Sequence, residues 1–277
     1  AQKSFSQNRP HPVGALLNES LYFEEYGQSG SPVLIFLHGL LGSSRNWRSI
    51  GKALSARYHV YALDLPEHGD SPHAEQTSLV QMAGQVGDWL TQNISGKYIL
   101  CGHSLGGKVA MLHACTHPHD LLGLVVVDIA PRDYPPEHHL PTLDALLSLE
   151  LSTLPSRKQA DEALAEKIPN WAFRQFLLTN LKETDGVWQW RANLSALRQS
   201  IAQLSCNPLQ TGDHYDGPCL FVRGGKSGYL RSEHFSLVTQ AFPRADIVTL
   251  PEAGHDVHVE DKPGFLLHLS GFLAGLS

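Results

Sequence analysis

Apolar residues fall along this chain in short unbroken runs, separated by longer stretches where they recur at every third or fourth position. Positions 32–37, 59–65, 97–101, 121–128, 219–224 and 245–250 are near-continuous apolar runs of strand length, the pattern of strands covered on both faces. Positions 21–26 read as a further strand at a sheet edge, closed by the turn signal Gly27-Gln28-Ser29-Gly30. The intervening stretches 46–55, 79–93, 108–116, 232–241 and 263–276 carry helical spacing. Val80, Ala83, Val86 and Leu90 are expected along one side of the second of these, and Phe265, Leu266, Leu269, Phe272 and Leu273 on the inner face of the last. Alternation of buried strands with helices predicts an α/β fold, a mostly parallel central sheet with helices on both faces.

The alternation stops between 132 and 214. Helical patterns at 159–167, 171–181 and 193–204, with Leu194, Leu197, Ile201 and Leu204 on one face, replace the buried strands. Asp185-Gly186 before Val187-Trp188-Gln189-Trp190 suggests a short hairpin or turn. So long an excursion between two sheet strands is not expected to be structureless. It predicts a helical cap, 132–214, inserted into a core formed by 1–131 and 215–277.

Strand ends carry the candidate chemistry, because active sites in parallel sheets lie at the carboxyl ends of the strands. His38, Asp64, Ser104 and Asp128 all fall at or just past such ends. Ser104 stands in Gly102-His103-Ser104-Leu105-Gly106-Gly107, a G-x-S-x-G between a strand and a helix, the setting that holds a serine as an exposed nucleophile. Glycines at 102 and 106 suit a turn too sharp to admit side chains there. A hydroxyl needs a base within hydrogen-bond reach, and His255, after Gly254 past the last strand, is the candidate. The loop after the strand at 219–224, Gly224-Gly225-Lys226-Ser227-Gly228-Tyr229, holds no carboxylate. Asp128, one strand earlier, keeps the chain order Ser, Asp, His and is the expected acid, with Glu233 and Asp256 as substitutes. Backbone N–H groups of Leu40 and Leu105 are expected to form an oxyanion hole. His38 beside the site, more readily a loop-organising histidine than a second base, and Phe176, Trp188 and Trp190 in the cap, where aromatic residues more often form the cap's own core, are candidate substrate contacts. Asp64 and Asp70-Ser71 are expected to order their loop through side-chain to backbone hydrogen bonds.

Composition narrows the partners. With 42% hydrophobic and 17% charged residues, the 277-residue chain has the make-up of an ordinary soluble globular protein. A net charge of −6 with no basic run argues against nucleic acid or an anionic membrane surface, and no apolar stretch is long enough to span a bilayer. Four cysteines far apart in the chain, Cys101, Cys115, Cys206 and Cys219, predict free thiols and a cytoplasmic location. The polar stretch 1–13 has no apolar core and predicts no signal peptide. Sixteen histidines raise a metal site, but no H-E-x-x-H occurs. His117/His119 and His138/His139, beside prolines, read as solvated surface, as does His258 in its loop. No metal and no cofactor is expected; the expected partner is a small-molecule ester or thioester.

Taken together, His38-Gly39-Leu40-Leu41-Gly42-Ser43, Asp64 with Gly69-Asp70-Ser71-Pro72, 102–107, Val127-Asp128-Ile129-Ala130-Pro131, Gly224-Gly225-Lys226-Ser227 and Gly254-His255 resemble the α/β-hydrolase fold superfamily. Within it they are similar to the YbfF-like bacterial esterases and their mitochondrial α/β-hydrolase-domain relatives. The likeness extends into the cap at 176–181 and 190–194. Pro66-Glu67-His68 departs from the arginine or asparagine common there. The resemblance implies a cofactor-free serine esterase or thioesterase acting on carboxylic and acyl esters, and supports Asp128 as the acid. Acyl-CoA thioester or C–C bond hydrolysis on the same fold, and a non-catalytic binding protein, are the alternatives.

Overall fold

The computed structural model describes residues 20–276; the stretch 1–13, read above for a signal peptide, lies outside them. The strands are β1 (Phe23–Tyr26), β2 (Val33–Leu37), β3 (His59–Leu63), β4 (Tyr98–His103), β5 (Leu121–Val127), β6 (Leu181–Thr184), β7 (Val187–Trp190), β8 (Cys219–Gly224) and β9 (Ala245–Leu250). The α-helices are α1 (Arg48–Leu54), α2 (Leu79–Asn93), α3 (Leu105–Thr116), α4 (Leu140–Leu147), α5 (Arg157–Leu164), α6 (Trp171–Leu178), α7 (Leu194–Leu204), α8 (Phe235–Ala241), α9 (Val257–Glu260) and α10 (Lys262–Ala274).

Seven strands form one sheet in the order β1-β3-β2-β4-β5-β8-β9. β1 runs antiparallel to β3 and every other pairing is parallel. This is the α/β-hydrolase arrangement, and the apolar runs dictate it: β2, β4, β5 and β8 are covered on both faces by helices, so both of their side-chain rows are buried. One apolar layer packs under α2 and α3, the other under α1, α9 and α10. In the second layer Trp47 stacks on Phe36 with ring centroids 4.4 Å apart and on His258 at 4.2 Å. His258 is therefore buried, contrary to the surface expectation, because the short helix α9 turns it inward.

Local signals explain most element ends. Ser78 caps α2 by accepting the Gln81 N–H, and Asn193 caps α7 by accepting the Ala196 N–H. Asp185, at φ 51°, and Gly186, at φ 79°, make the β6–β7 turn, which places two left-handed residues between the strands. On α2 the buried face is Leu79, Met82, Ala83, Val86, Trp89 and Leu90, whereas Val80 is 72% exposed. Ala83, Val86 and Leu90 thus lie on the expected side; Val80 alone does not, and Leu79, Met82 and Trp89 complete the buried face. On α10 the fully buried positions are Phe265, Leu269 and Leu273; Leu266 and Phe272 lie at its margin.

Residues 132–214 contribute α4 to α7 and the β6–β7 hairpin, and no strand of the seven-stranded sheet. They are tied to the loops at the sheet's carboxyl edge. Asn180 Nδ2–H donates to Leu41 O at 2.8 Å, the Asn193 N–H donates to Glu67 O at 2.8 Å, and Arg191 reaches Asp70 at 3.1 Å. Among the described residues no helix is long and apolar enough to cross a membrane, and Cys101, Cys115, Cys206 and Cys219 are all free.

Candidate active site

The turn after β4 follows from its glycines. A Cβ at Gly102 would lie 2.1 Å from Gly106 O, and one at Gly106 would lie 2.4 Å from His38 O. Only glycine permits this approach, and it leaves Ser104 at φ 53°, ψ −115°, ahead of α3. Holding a non-glycine residue there costs about 1–3 kcal/mol, which the packing of β4 and α3 offsets.

Sheet register brings Asp128 to Ser104. His103 pairs with Val127 across β4 and β5, and the Ser104 N–H donates to Val127 O at 3.1 Å, so Asp128 emerges beside Ser104. Asp128 is fully buried at φ 53°. Its Oδ1 accepts the Gly224 N–H at 2.9 Å, and its Oδ2 accepts from Ser227 Oγ and from His255 Nδ1, the latter at 2.7 Å. The loop after β8 that lacks a carboxylate thus receives one from the neighbouring strand. Since a carboxylate oxygen only accepts, the His255 proton lies on Nδ1, and Nε2 accepts from Ser104 Oγ–H at 2.9 Å. Asp256 and Glu233 point elsewhere: Asp256 lies 3.8 Å from His103 Nε2, and Glu233 lies beside Arg231 and His234.

His255 is fixed from two further directions. The Tyr229 ring stacks on it at 3.8 Å between centroids, and His103 Nε2–H donates to its backbone carbonyl at 2.9 Å. Burial, and then the nearby His255, lower the His103 pKa to about 4, so this donor stays a neutral imidazole.

On the other side of Ser104, the loop after β2 passes close enough that a Cβ at Gly39 would sit 3.3 Å from Ser104 Cβ. The N–H groups of Leu40 and Leu105 make no hydrogen bond among the described residues, and both residues line the cavity that holds Ser104. Two buried histidines lace this loop to the one after β3. His38 Nδ1–H donates to Gly39 O at 2.7 Å while its Nε2 accepts the Leu65 N–H at 2.9 Å. His68 Nδ1–H donates to Pro66 O at 2.9 Å while its Nε2 accepts the Leu41 N–H at 3.0 Å, which holds Leu41 at φ 63°. Asp64 completes the lacing by accepting the Ser44 N–H at 2.6 Å and the Asp70 N–H at 2.9 Å.

His38 is therefore not available to a substrate: it is buried, with both ring nitrogens engaged by backbone. Burial first, and the neighbouring imidazole second for His68, lower the pKa of His38 to about 4 and of His68 to about 3. Both sit below the ordinary histidine value near 6.5. As pH falls below 6.5 the unfolded chain takes up these protons first, so the stability the pair contributes is complete above 6.5 and is lost toward pH 3. His68→Leu is expected to leave the Leu41 N–H buried and unpaired, at a cost of about 1–3 kcal/mol. Urea unfolding at pH 7 and pH 4.5 checks this: His68→Gln, which restores an acceptor without a titrating ring, should lose less at pH 7 and show a flatter pH dependence than the wild type.

The cavity over Ser104 is about 30 Å³. Its walls are Tyr134, His139, Ile201 and Leu204 from the inserted segment, with Lys108 and Tyr229 from the core. Phe176, Trp188 and Trp190 do not line it. They are half-buried and pack against the apolar interior, Phe176 alongside Phe173, because α6 and β7 turn their apolar faces toward that interior rather than toward Ser104. His139, expected on solvated surface, instead lines the cavity, and burial lowers its pKa to about 4. Lys108 carries a signal legible in sequence, since it stands four residues after Ser104 and so on the same helix face. Tyr134, His139 and Tyr229 carry none, because tertiary contacts alone aim them. Among the described residues no cluster of three or more His, Cys, Asp or Glu is placed to hold a metal.

Comparison with known proteins agrees with the fold. Residues 34–267 match the model of a family described as the alpha/beta hydrolase family. The mouse protein named sn-1-specific diacylglycerol lipase ABHD11 is 39% identical over 255 residues, covering 90% of this chain and 83% of that protein. Esterase YbfF of Escherichia coli is 29% identical over 241 residues, covering 87% and 92%. A solved structure described as a marine microorganism esterase superposes with a TM-score of 0.89 at 32% identity, covering 92% of this chain and 99% of that one.

Proposed function

Because the chain belongs to the alpha/beta hydrolase family and is a hydrolase related to these esterases, we propose that it cleaves carboxylic esters through an acyl-serine intermediate on Ser104. The observation that carries this reading is the unbroken line from Ser104 Oγ through His255 to the buried Asp128, with links of 2.9 and 2.7 Å.

His255 Nε2 takes the Ser104 proton as Oγ attacks the ester carbonyl, a contribution of about 10²–10⁴ in rate. Asp128 holds the tautomer that leaves Nε2 free, and stabilises the imidazolium. Negative charge on the carbonyl oxygen meets the N–H groups of Leu40 and Leu105, each worth about 2.7–4 kcal/mol. Collapse of the tetrahedral species expels the alcohol, which takes the proton from His255. Water, deprotonated by the same imidazole, then releases the acid and regenerates Ser104. The residues 132–214 act as a cap whose side chains bound the acyl group, and the small cavity favours a short one. The names of the mouse and E. coli relatives, a lipase and an esterase, accord with ester cleavage.

Stopped-flow measurement with p-nitrophenyl esters from acetate to decanoate tests the proposal. A burst of nitrophenol equal to the enzyme concentration, followed by turnover that falls as the acyl chain lengthens, is expected. Absence of both burst and turnover across the series contradicts it.

A further inference from the structure

We propose that the acyl group transferred to Ser104 carries its own carboxylate, and that Lys108 is the residue that selects it. This rests on the esterase reading above. Lys108 follows Ser104 by one turn of α3, with its N–H donated to Ser104 O at 3.0 Å, which places its backbone about 5–6 Å along the helix from the nucleophile. The side chain is 3% exposed and lines the cavity that holds Ser104. A lysine is out of character in α3, where Leu105, Val109, Ala110, Met111 and Ala114 are all buried apolar residues.

The ammonium has three N–H donors. Two go to Leu204 O at 3.2 Å and Cys206 O at 2.7 Å, carbonyls at the end of α7. These are neutral acceptors, and among the described residues no carboxylate lies within ion-pair distance of Lys108. A second cation stands beside it. Lys108 Nζ and the Arg132 guanidinium lie 5.0 and 4.6 Å from the centre of the same ring, that of Tyr134, which is a cavity wall. Arg132 has no ion-pair partner among the described residues either. The adjacent Asp133 is exposed and accepts the Asn207 N–H instead.

The cavity wall therefore presents a buried positive charge at Lys108 that makes no direct ion pair among the described residues, with Asp133 the nearby acid that acts on it only from a distance. Burial lowers the Lys108 pKa to about 8, which leaves it mostly protonated at neutral pH. An acyl chain ending in a carboxylate would supply the missing charge and take the third N–H. An apolar chain would leave both unmet, and filling the space needs only a methionine. The one-turn separation of Lys108 from Ser104 suits the half-esters of short dicarboxylic acids.

The test compares monoethyl succinate with ethyl butyrate, equal in acyl length and differing in the terminal carboxylate, in the wild type and in Lys108→Met. The wild type is expected to show the higher kcat/KM on monoethyl succinate. In Lys108→Met the succinate-to-butyrate ratio should fall about 10- to 100-fold, the range of a charge-assisted hydrogen bond. Lys108→Arg should retain part of it. A wild-type preference for ethyl butyrate, or a ratio unchanged in Lys108→Met, overturns the proposal and leaves Lys108 only the task of holding α7. The wild-type ratio decides even if the variants do not fold. Labelling of Ser104 by a fluorophosphonate separates the two readings. Labelled enzyme without the succinate preference defeats this inference alone, whereas no labelling and no turnover of either ester defeats the esterase reading with it.

Discussion

Ser104→Ala is expected to lower kcat for ester hydrolysis by about 10⁶-fold, the scale on which removing the nucleophile of a Ser-His-Asp site acts. Alanine keeps the Cβ that Ser104 already holds at φ 53°, so the strained turn and the flanking elements persist while the attacking oxygen is removed. Rate over water should not vanish, because the unpaired N–H groups of Leu40 and Leu105 still face the cavity and an oxyanion hole with substrate binding alone is worth about 10³–10⁴. Steady-state turnover of p-nitrophenyl butyrate, with near-unchanged circular dichroism and urea midpoint, checks both halves. A variant that retains a tenth of wild-type activity is incompatible with Ser104 as the nucleophile.

Asp128→Asn is expected to cost about 10⁴ in kcat. The carboxylate accepts on both oxygens: Gly224 N–H on Oδ1, and His255 and Ser227 on Oδ2. An amide with its oxygen kept toward Gly224 must turn its NH₂ toward His255 and Ser227, where both partners present donors. His255 must then either lose the contact or move its proton to Nε2, the nitrogen that has to accept from Ser104. KM should change far less than kcat, because the buried Asp128 does not line the cavity. Asp256→Asn, at a side chain that is 56% exposed and 3.8 Å from His103 rather than on His255, is the comparison: its effect should stay within about threefold. Near wild-type turnover in Asp128→Asn, or a larger loss in Asp256→Asn, would move the acid to Asp256.

Much of this arrangement is legible in the residues because its determinants are local. The apolar runs at β2, β4, β5 and β8 report burial on both faces, and one sheet order then gathers their carboxyl ends. Gly102 and Gly106 report the close approach that forces Ser104 into its turn. Asp128 is readable as a neighbour of Ser104 by elimination, since the loop after β8 offers no carboxylate, and the β4–β5 register gives that proximity its physical cause. The cavity walls resist such reading. Hydrophobicity nominates Phe176, Trp188 and Trp190, but which face of α6 or β7 meets Ser104 depends on contacts such as Asn180 with Leu41 and Asn193 with Glu67, far apart in sequence. Tyr134, His139 and Tyr229 reach the site for the same non-local reason. α4 was not expected because its eight residues, Leu140–Leu147, begin beside His138-His139 and include Pro141, which is tolerated in a first helical turn. His38 organises its loop rather than meeting substrate, and His68 does the same, because the folded loops bring backbone partners to both nitrogens of each ring.

The most direct test of the central claim is intact-mass analysis after treatment with a fluorophosphonate, followed by peptide mapping. One adduct per chain is predicted, on the peptide containing Ser104, formed far more slowly in His255→Ala and Asp128→Asn and not at all in Ser104→Ala. Labelling that persists in Ser104→Ala, or an adduct mapped to any other residue, would contradict the assignment of Ser104 as the nucleophile.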